Sequence, residues 1–234
     1  MPTGTEVVAA LGSTPSLVGV DQYSEYPADV KTLPKVGTYL APDLEAIVRL
    51  HPNFVIVDDV HGQVAAALHD RGVETVGCTA HVIADVQACL RTVGARLGRT
   101  QQATDAVNAI DAALAAARAR RPARHPRVLA IIDREPTGLG NIVAAGPGSY
   151  LDELLAAVGG DNVLAATGVR YPRIATEEVL RANPDVILDL SGHGGDAWKD
   201  LGLPAKVRAL TADTLRGPSP RVADALGVLA TALQ

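Results

Sequence analysis

Six histidines are the side chains of this 234-residue chain best suited to hold a metal: His51, His61, His69, His81, His125 and His193. None pairs with another at the HxH or HxxxH spacing that a single strand or helix uses to present two ligands. His51 ends a helix ahead of Pro52, His69 falls on a charged helix face, and His125 sits in an Arg-rich loop, so these read as surface residues. His61 and His193 fall just past strand ends, where open α/β sheets bind ligands. They are the two candidate metal ligands, and the sequence indicates no dedicated metal site beyond them.

Aromatic residues form a second set. The chain has one Phe, one Trp and five Tyr, so its core must be aliphatic and each aromatic stands out. Tyr23, Tyr39 and Tyr171 lie in loops beside Pro or Gly rather than on apolar faces. Rigid aromatic faces in such loops can bury a large flat ligand at low entropic cost. Trp198, behind Gly192-His193-Gly194-Gly195, is placed to join them. Tyr26, before Pro27, is expected to pack under its loop, and Tyr150 to face the core from a helix start. Two carboxylates, Glu45 and Glu177, each occupy the first turn of a helix, where they complement the helix dipole. The Gly-rich run from Gly138 to Gly148 lacks the GxGxxG spacing of a dinucleotide fingerprint and is interrupted by Pro147. No P-loop, GxSxG or Cys/His pair is present, so an enzyme is not expected.

The elements that must position these residues alternate between strand and helix, which indicates parallel sheets with crossover helices. In the first part, a helix over 5–11 precedes a short strand over 17–20, a helix over 44–50, a strand over 54–57, a helix over 64–71 and a strand over 73–76. The longest element runs from Val82 to about Arg121. Val82, Val86, Leu90, Val93, Leu97, Val107, Ile110 and Leu114 recur at helical spacing, and Pro122 ends the run. About 36 helical residues at ~1.5 Å each span roughly 54 Å, enough for a strut between two lobes. Gly94 and Gly98 weaken its middle, which leaves one bent helix or two stacked ones open. Beyond it come a strand over 127–133, a Gly-rich loop over 137–149, helices over 150–158 and 176–182, a strand over 186–190, a turn or short helix over 205–208, and a closing helix over 222–233. Cys78 and Cys89 read as two buried free thiols, since pairing requires a strand end to meet the long helix.

The two flanks of the long helix resemble each other. Glu45-Ala46-Ile47-Val48-Arg49-Leu50-His51-Pro52-Asn53 faces Glu177-Glu178-Val179-Leu180-Arg181-Ala182-Asn183-Pro184-Asp185, and an aliphatic strand follows each. Glu6 to Gly12 likewise faces Glu153 to Gly159, in the same order. The chain is therefore expected to be α/β, with two Rossmann-like lobes of parallel sheet over 1–81 and 123–234 joined by a backbone helix over 82–122. The second lobe opens with the strand Val128–Ile132, and the first has no counterpart ahead of Glu6, so an additional strand upstream of Met1 is expected.

These features resemble the substrate-binding proteins of ABC importers whose lobes are joined by a rigid helix (cluster A-II, class III), most closely the periplasmic cobalamin-binding branch. The likeness rests on Val18-Gly19-Val20, Tyr23-Ser24-Glu25-Tyr26-Pro27 and Leu44-Glu45-Ala46-Ile47-Val48 with Pro52. In the second half it rests on Ala145-Gly146-Pro147-Gly148-Ser149, Gly159-Gly160-Asp161-Asn162-Val163, Tyr171-Pro172 and Ser219-Pro220-Arg221. The resemblance implies a ligand held between the lobes, cobalamin or a related corrinoid first, with haem, a ferric siderophore or a metal ion as alternatives. It places Tyr23, Tyr39 and Tyr171 along that cleft and aligns Asp213 with a ligand-touching position, where the aromatic that follows in cobalamin-binding relatives is replaced by Thr214. His61 and His193 would then be possible axial ligands to iron or cobalt. Glu45 and Glu177 would dock into arginine pockets of a dimeric permease, the protein itself being a monomer. A disulfide of those relatives would fall on Val158 and Ala230 and is absent.

Composition narrows the remaining classes. Net charge is −5 with no basic block, which argues against nucleic acid. No apolar run is long enough to span a membrane, and Met1 leads straight into a helical pattern without a signal peptide. The resemblance nonetheless implies a periplasmic or extracytoplasmic protein, membrane-associated if lipidated. An α/β enzyme or an intracellular ligand-binding relative is the competing class.

Overall fold

The computed structural model describes residues 1–234, the side chain of Asp200 excepted. They form two compact units, Met1–Ile110 with Pro218–Pro220, and Asp111–Gly217 with Arg221–Gln234. In the first unit, helix α1 (Pro2–Ala10) has proline in its first turn, where the missing N–H costs nothing. Helix α2 (Leu44–Arg49) starts at Asp43, whose carboxylate accepts the Ala46 N–H at 2.9 Å. Strand β1 (Phe54–Val57), helix α3 (Gly62–His69) and strand β2 (Glu74–Gly77) follow, and β1 pairs parallel with β2 from Phe54↔Glu74 to Val57↔Gly77. Ile47, Leu68 and Val73 form an apolar cluster beneath α2 and α3. The strand expected over 17–20 is reduced to a single bridge between Val20 and Lys35. Four residues with no neighbouring strand cannot complete a ladder.

The long helix expected over 82–122 is two helices, α4 (Ile83–Arg96) and α5 (Thr100–Ala119). Gly98, at φ +66°, makes the break; this left-handed conformation costs a residue with a Cβ about 1 kcal/mol or more. The apolar spacing nevertheless fulfils its expected role: Val86, Leu90 and Val93 of α4 are fully buried, and Val107, Ile110 and Leu114 of α5 nearly so. The free-thiol reading is overturned, because Cys78, just past β2, is joined by a disulfide to Cys89 on α4 with their Cα atoms 5.0 Å apart. The strand end does meet the helix, and periodicity alone could not show it.

In the second unit a sheet is built around β3 (Arg127–Asp133), whose residues Val128–Ile131 are entirely buried. Strand β7 (Val186–Asp189) lies parallel on one side of β3, and β8 (Lys206–Ala209) continues the parallel set. On the other side, β4 (Ile142–Ala144) runs antiparallel to β3 and β6 (Arg173–Ile174) antiparallel to β4, while the short β5 (Asp161–Asn162) pairs parallel with the start of β3. The sheet is thus mixed rather than purely parallel, and two segments read as loop or turn are strands. Lys206–Ala209 becomes β8 because the edge of β7 offers it a four-residue ladder, although its own residues alternate only weakly. Helices α6 (Tyr150–Val158), α7 (Thr176–Ala182) and α8 (Val222–Ala232) lie where periodicity and caps put them. Ser149 caps α6, Gly159 closes it in the left-handed conformation, and Tyr150 is buried as expected, whereas Tyr26 is 43% exposed. No helix is long and apolar enough to cross a membrane among the described residues.

Candidate functional site

At the C-terminal end of β1 the chain turns at Asp58 into a single 3-10 turn, Asp59–His61. The buried Asp58 carboxylate accepts the Tyr39 hydroxyl at 2.9 Å and the Asp59 N–H at 2.7 Å. Burial pushes its pKa upward, reinforced by the Asp59 carboxylate, against a lowering by Tyr39. His61 is fully occupied: Nδ1 accepts the Asp58 N–H at 3.1 Å, and Nε2 lies 2.6 Å from the Tyr39 carbonyl. An accepting Nδ1 leaves the proton on Nε2, which then donates to that carbonyl. With both nitrogens engaged, His61 has no lone pair to offer an iron or cobalt, and the axial-ligand reading is corrected. Its role is to set the loop of Tyr39, whose ring it meets edge-on with centroids 5.0 Å apart.

The surface beside this network is apolar. Leu40 is 86% exposed, Val60 60% and Tyr23 61%. Leu40 and Val60 were missed in the sequence because aliphatic residues blend into a chain that is 47% hydrophobic. Their position directly beside Tyr39 and just past a strand end is the signal that could have found them. Asp58, Asp59 and His81 bring one ligand atom each within 4.8 Å of one another, with His81 Nε2 3.5 Å from Asp59. The spacing did not reveal this grouping, since its members follow two different strands.

In the second unit the ends of β3 and β7 are tied together by Arg134 and Asp189, 2.8 Å apart and almost wholly buried. Arg134 also donates to the carbonyls of Glu135, Gly138 and Gly194, pinning the loops that follow both strands. Trp198 is not available to a ligand, which corrects the reading from its glycine-rich surroundings. It is 2% exposed, packs in the core with Leu129 and Ile187, donates Nε1–H to Asp189 at 2.6 Å, and lies under the Arg134 guanidinium. Burial by itself would raise the Asp189 pKa, but hydrogen bonds from Ser191, Trp198 and Arg134 outweigh it and hold the carboxyl below the usual range. His193 is exposed on the loop thus anchored, its N–H donating to Ser191 Oγ at 3.2 Å.

Tyr171 sits on a loop that packs against Gly146. The Gly146 N–H donates to the Arg170 carbonyl at 2.8 Å, and a Cβ there would stand 2.0 Å from the Val169 carbonyl oxygen. Only glycine permits this approach. Tyr171 remains 42% exposed beside Val169 at 52%, its phenol pKa raised by burial with partial opposition from Arg170. Asp213, which the resemblance aligns with a ligand-touching position, lies beside Arg221. Its carboxylate makes a two-pronged contact with the Arg221 guanidinium at 3.1 and 3.3 Å, and that hydrogen bonding holds its pKa down.

Glu45 and Glu177 are exposed in the first turns of α2 and α7. Neither performs the local capping. Asp43 caps α2, and at α7 it is Glu178 that reaches back to the Ala175 N–H at 2.8 Å. Both glutamates therefore point outward with no hydrogen bond or ion pair among the described residues.

Residues 1–204 match the family described as "Periplasmic binding protein". The chain is 29% identical to the vitamin B12-binding protein of Salmonella typhimurium over 241 aligned positions, covering 99% of this chain and 87% of the relative. Among solved structures, the apo periplasmic haem-binding protein of Roseiflexus sp. RS-1 superposes with a TM-score of 0.83 at 29% identity, over 100% of this chain and 97% of the other. The periplasmic vitamin B12-binding protein of Vibrio cholerae does so with a TM-score of 0.78 at 27% identity, over 100% and 94%. The order of elements and the repeated helix–Pro–strand unit fit the same scaffold, and the chain belongs to the periplasmic binding protein family.

Proposed function

We propose that this chain is the substrate-binding component of an ABC importer, which captures cobalamin or a related corrinoid and delivers it to a membrane permease without chemical change. The carrying observation is the character of the exposed loop surface in each unit. Tyr23, Leu40 and Val60 in one unit and Val169 and Tyr171 in the other are exposed apolar or aromatic groups. The polar atoms of Tyr39, Asp58 and His61 behind them are already paired. Such faces suit a broad flat ligand held by van der Waals contact. They do not supply an iron ligand from His61, and a phenolate at Tyr39 would stand against the Asp58 carboxylate. Haem is the second reading, favoured by the likeness to the haem-binding protein of Roseiflexus and left a possible ligand in the exposed His193; a ferric siderophore has no such support. The disulfide suits an oxidising compartment outside the cytoplasm.

Absorbance titration and calorimetry with cyanocobalamin and haemin test the ligand. Cyanocobalamin is expected to bind at micromolar concentration or below, and Tyr39→Ala or Tyr171→Ala to weaken it by about 1–3 kcal/mol, as for a buried aromatic anchor. Heat with haemin alone would replace the first ligand by the second.

The outward-facing Glu45 and Glu177 are proposed to dock on arginines of the permease, one from each unit. The double change Glu45→Ala/Glu177→Ala is expected to leave melting temperature and ligand affinity nearly unchanged, because neither residue caps its helix. Binding to the reconstituted permease is expected to fall at least tenfold. Normal transport by the double variant would reduce both residues to surface charges.

A further inference from the structure

At the C-terminal ends of β3 and β7 the second unit holds a cavity of about 220 Å³. It is lined by Ile132, Leu151, Leu190 and Leu215, with Ser191 and Arg216 as its polar members. Leu151, Leu190 and Leu215 are buried and Arg216 is exposed, so an apolar hollow opens beside a guanidinium. Open α/β sheets bind their ligands at strand ends of this kind. The volume lies below the roughly 300–1,000 Å³ that encloses a whole drug-sized molecule. The hollow therefore suits one side group of a larger ligand.

The charge beside it is uncompensated. Asp213, the carboxylate nearest to Arg216 in sequence, is held by Arg221 at 3.1 and 3.3 Å. Asp189, at the end of β7, is held by Arg134, Ser191 and Trp198. Ser191 donates its hydroxyl hydrogen to Asp189, and its oxygen accepts the His193 N–H. Arg216 remains, and its guanidinium has no hydrogen bond or ion pair among the described residues. The loop after β7 nevertheless sets its place. A Cβ on Gly192 would stand 3.3 Å from Arg216 Nη2, and Gly192 has a φ of +83°, so glycine lets the guanidinium lie against the backbone. A ligand that covers this cation removes it from water, which is costly unless an anion meets it. Apolar walls then strengthen the attraction.

We infer that Arg216 is a specificity-determining residue that receives an anionic oxygen group on the edge of the ligand. Its paired N–H groups donate to a phosphodiester or a carboxylate. The inference rests on the reading that the chain binds a corrinoid or haem. Cobalamin carries such a group as the phosphodiester of its nucleotide loop, and haem as its propionates. Both hold the anion on an arm away from the ring, which matches a small hollow with one cationic wall.

Calorimetry with paired probes tests it. Cyanocobalamin is compared with dicyanocobinamide, which keeps the corrin but lacks the phosphodiester. Haemin is compared with its dimethyl ester, which lacks the free carboxylates. The native protein is expected to favour the anionic member of whichever pair it binds. Arg216→Gln should weaken that member by roughly tenfold or more, as for a charge-assisted hydrogen bond, and leave the affinity of the other member unchanged. A purely structural role would move both members together, and the melting temperature with them. Selective loss in the corrinoid pair assigns the phosphodiester. Selective loss in the haem pair assigns the propionates, and upholds the inference even where the first ligand has failed. Equal loss of both members, or loss of neither, overturns the inference and leaves the ligand reading intact. Binding of none of the probes by the native protein overturns both.

Discussion

Replacing Arg134 with Met is expected to lower the unfolding free energy by about 3–5 kcal/mol, the cost of breaking a buried ion pair by removing one partner. The pair is almost wholly buried and 2.8 Å apart, and Asp189 would be left with only Ser191 and Trp198 as side-chain donors. The carbonyls of Glu135, Gly138 and Gly194 would lose their guanidinium as well. Urea unfolding gives the loss directly. Its pH dependence identifies the cause. The carboxyl of Asp189 lies below its usual range in the folded protein, so its contribution is present above the unfolded value, roughly 3.9, and is lost as pH falls through the lower folded value. The deficit of the variant should therefore shrink in acid, where the native protein loses what the variant already lacks. Arg134→Met/Asp189→Leu should recover much of the loss, because an apolar pair of similar volume carries no unpaired charge. A loss below 1 kcal/mol for the single change would mean that the loops are held by packing alone.

Removing the Cys78–Cys89 disulfide is expected to cost about 3 kcal/mol. The crosslink closes a loop of 11 residues, and the loop-entropy relation gives a value of that size for so short a ring. Cys78→Ser/Cys89→Ser should unfold at lower urea than the oxidised protein, and dithiothreitol should bring the native protein to a similar midpoint. The effect should be concentrated at β2 and α4, which the bond ties together, and hydrogen exchange can localise it. Identical midpoints with and without reductant would show that the packing of Val86, Leu90 and Val93 holds α4 without help.

What the chain announces locally is read correctly from its sequence. Helices α2, α6, α7 and α8 follow from apolar spacing and from residues such as Asp43, Ser149 and Gly159 that begin or end a helix. These preferences act over one or two turns and need no distant partner. The repeated helix–Pro–strand unit, and with it the relation between β1 and β7, is also present in residue order alone.

Tertiary structure decided everything that depends on a partner far along the chain. Lys206–Ala209 is a strand because β7 pairs with it, and Cys78 meets Cys89 because β2 ends against α4. Trp198 follows a run of glycines, yet it is drawn into the core by a hydrogen bond to Asp189 and a guanidinium overhead. His61 stands where a metal ligand could stand, yet both its nitrogens are used to hold Tyr39 and Asp58 in place. A side chain's type and neighbours in sequence set what it is able to bind. Which of those bonds it makes depends on the groups that folding brings within about 3 Å of it, and those come from strands and loops many residues away.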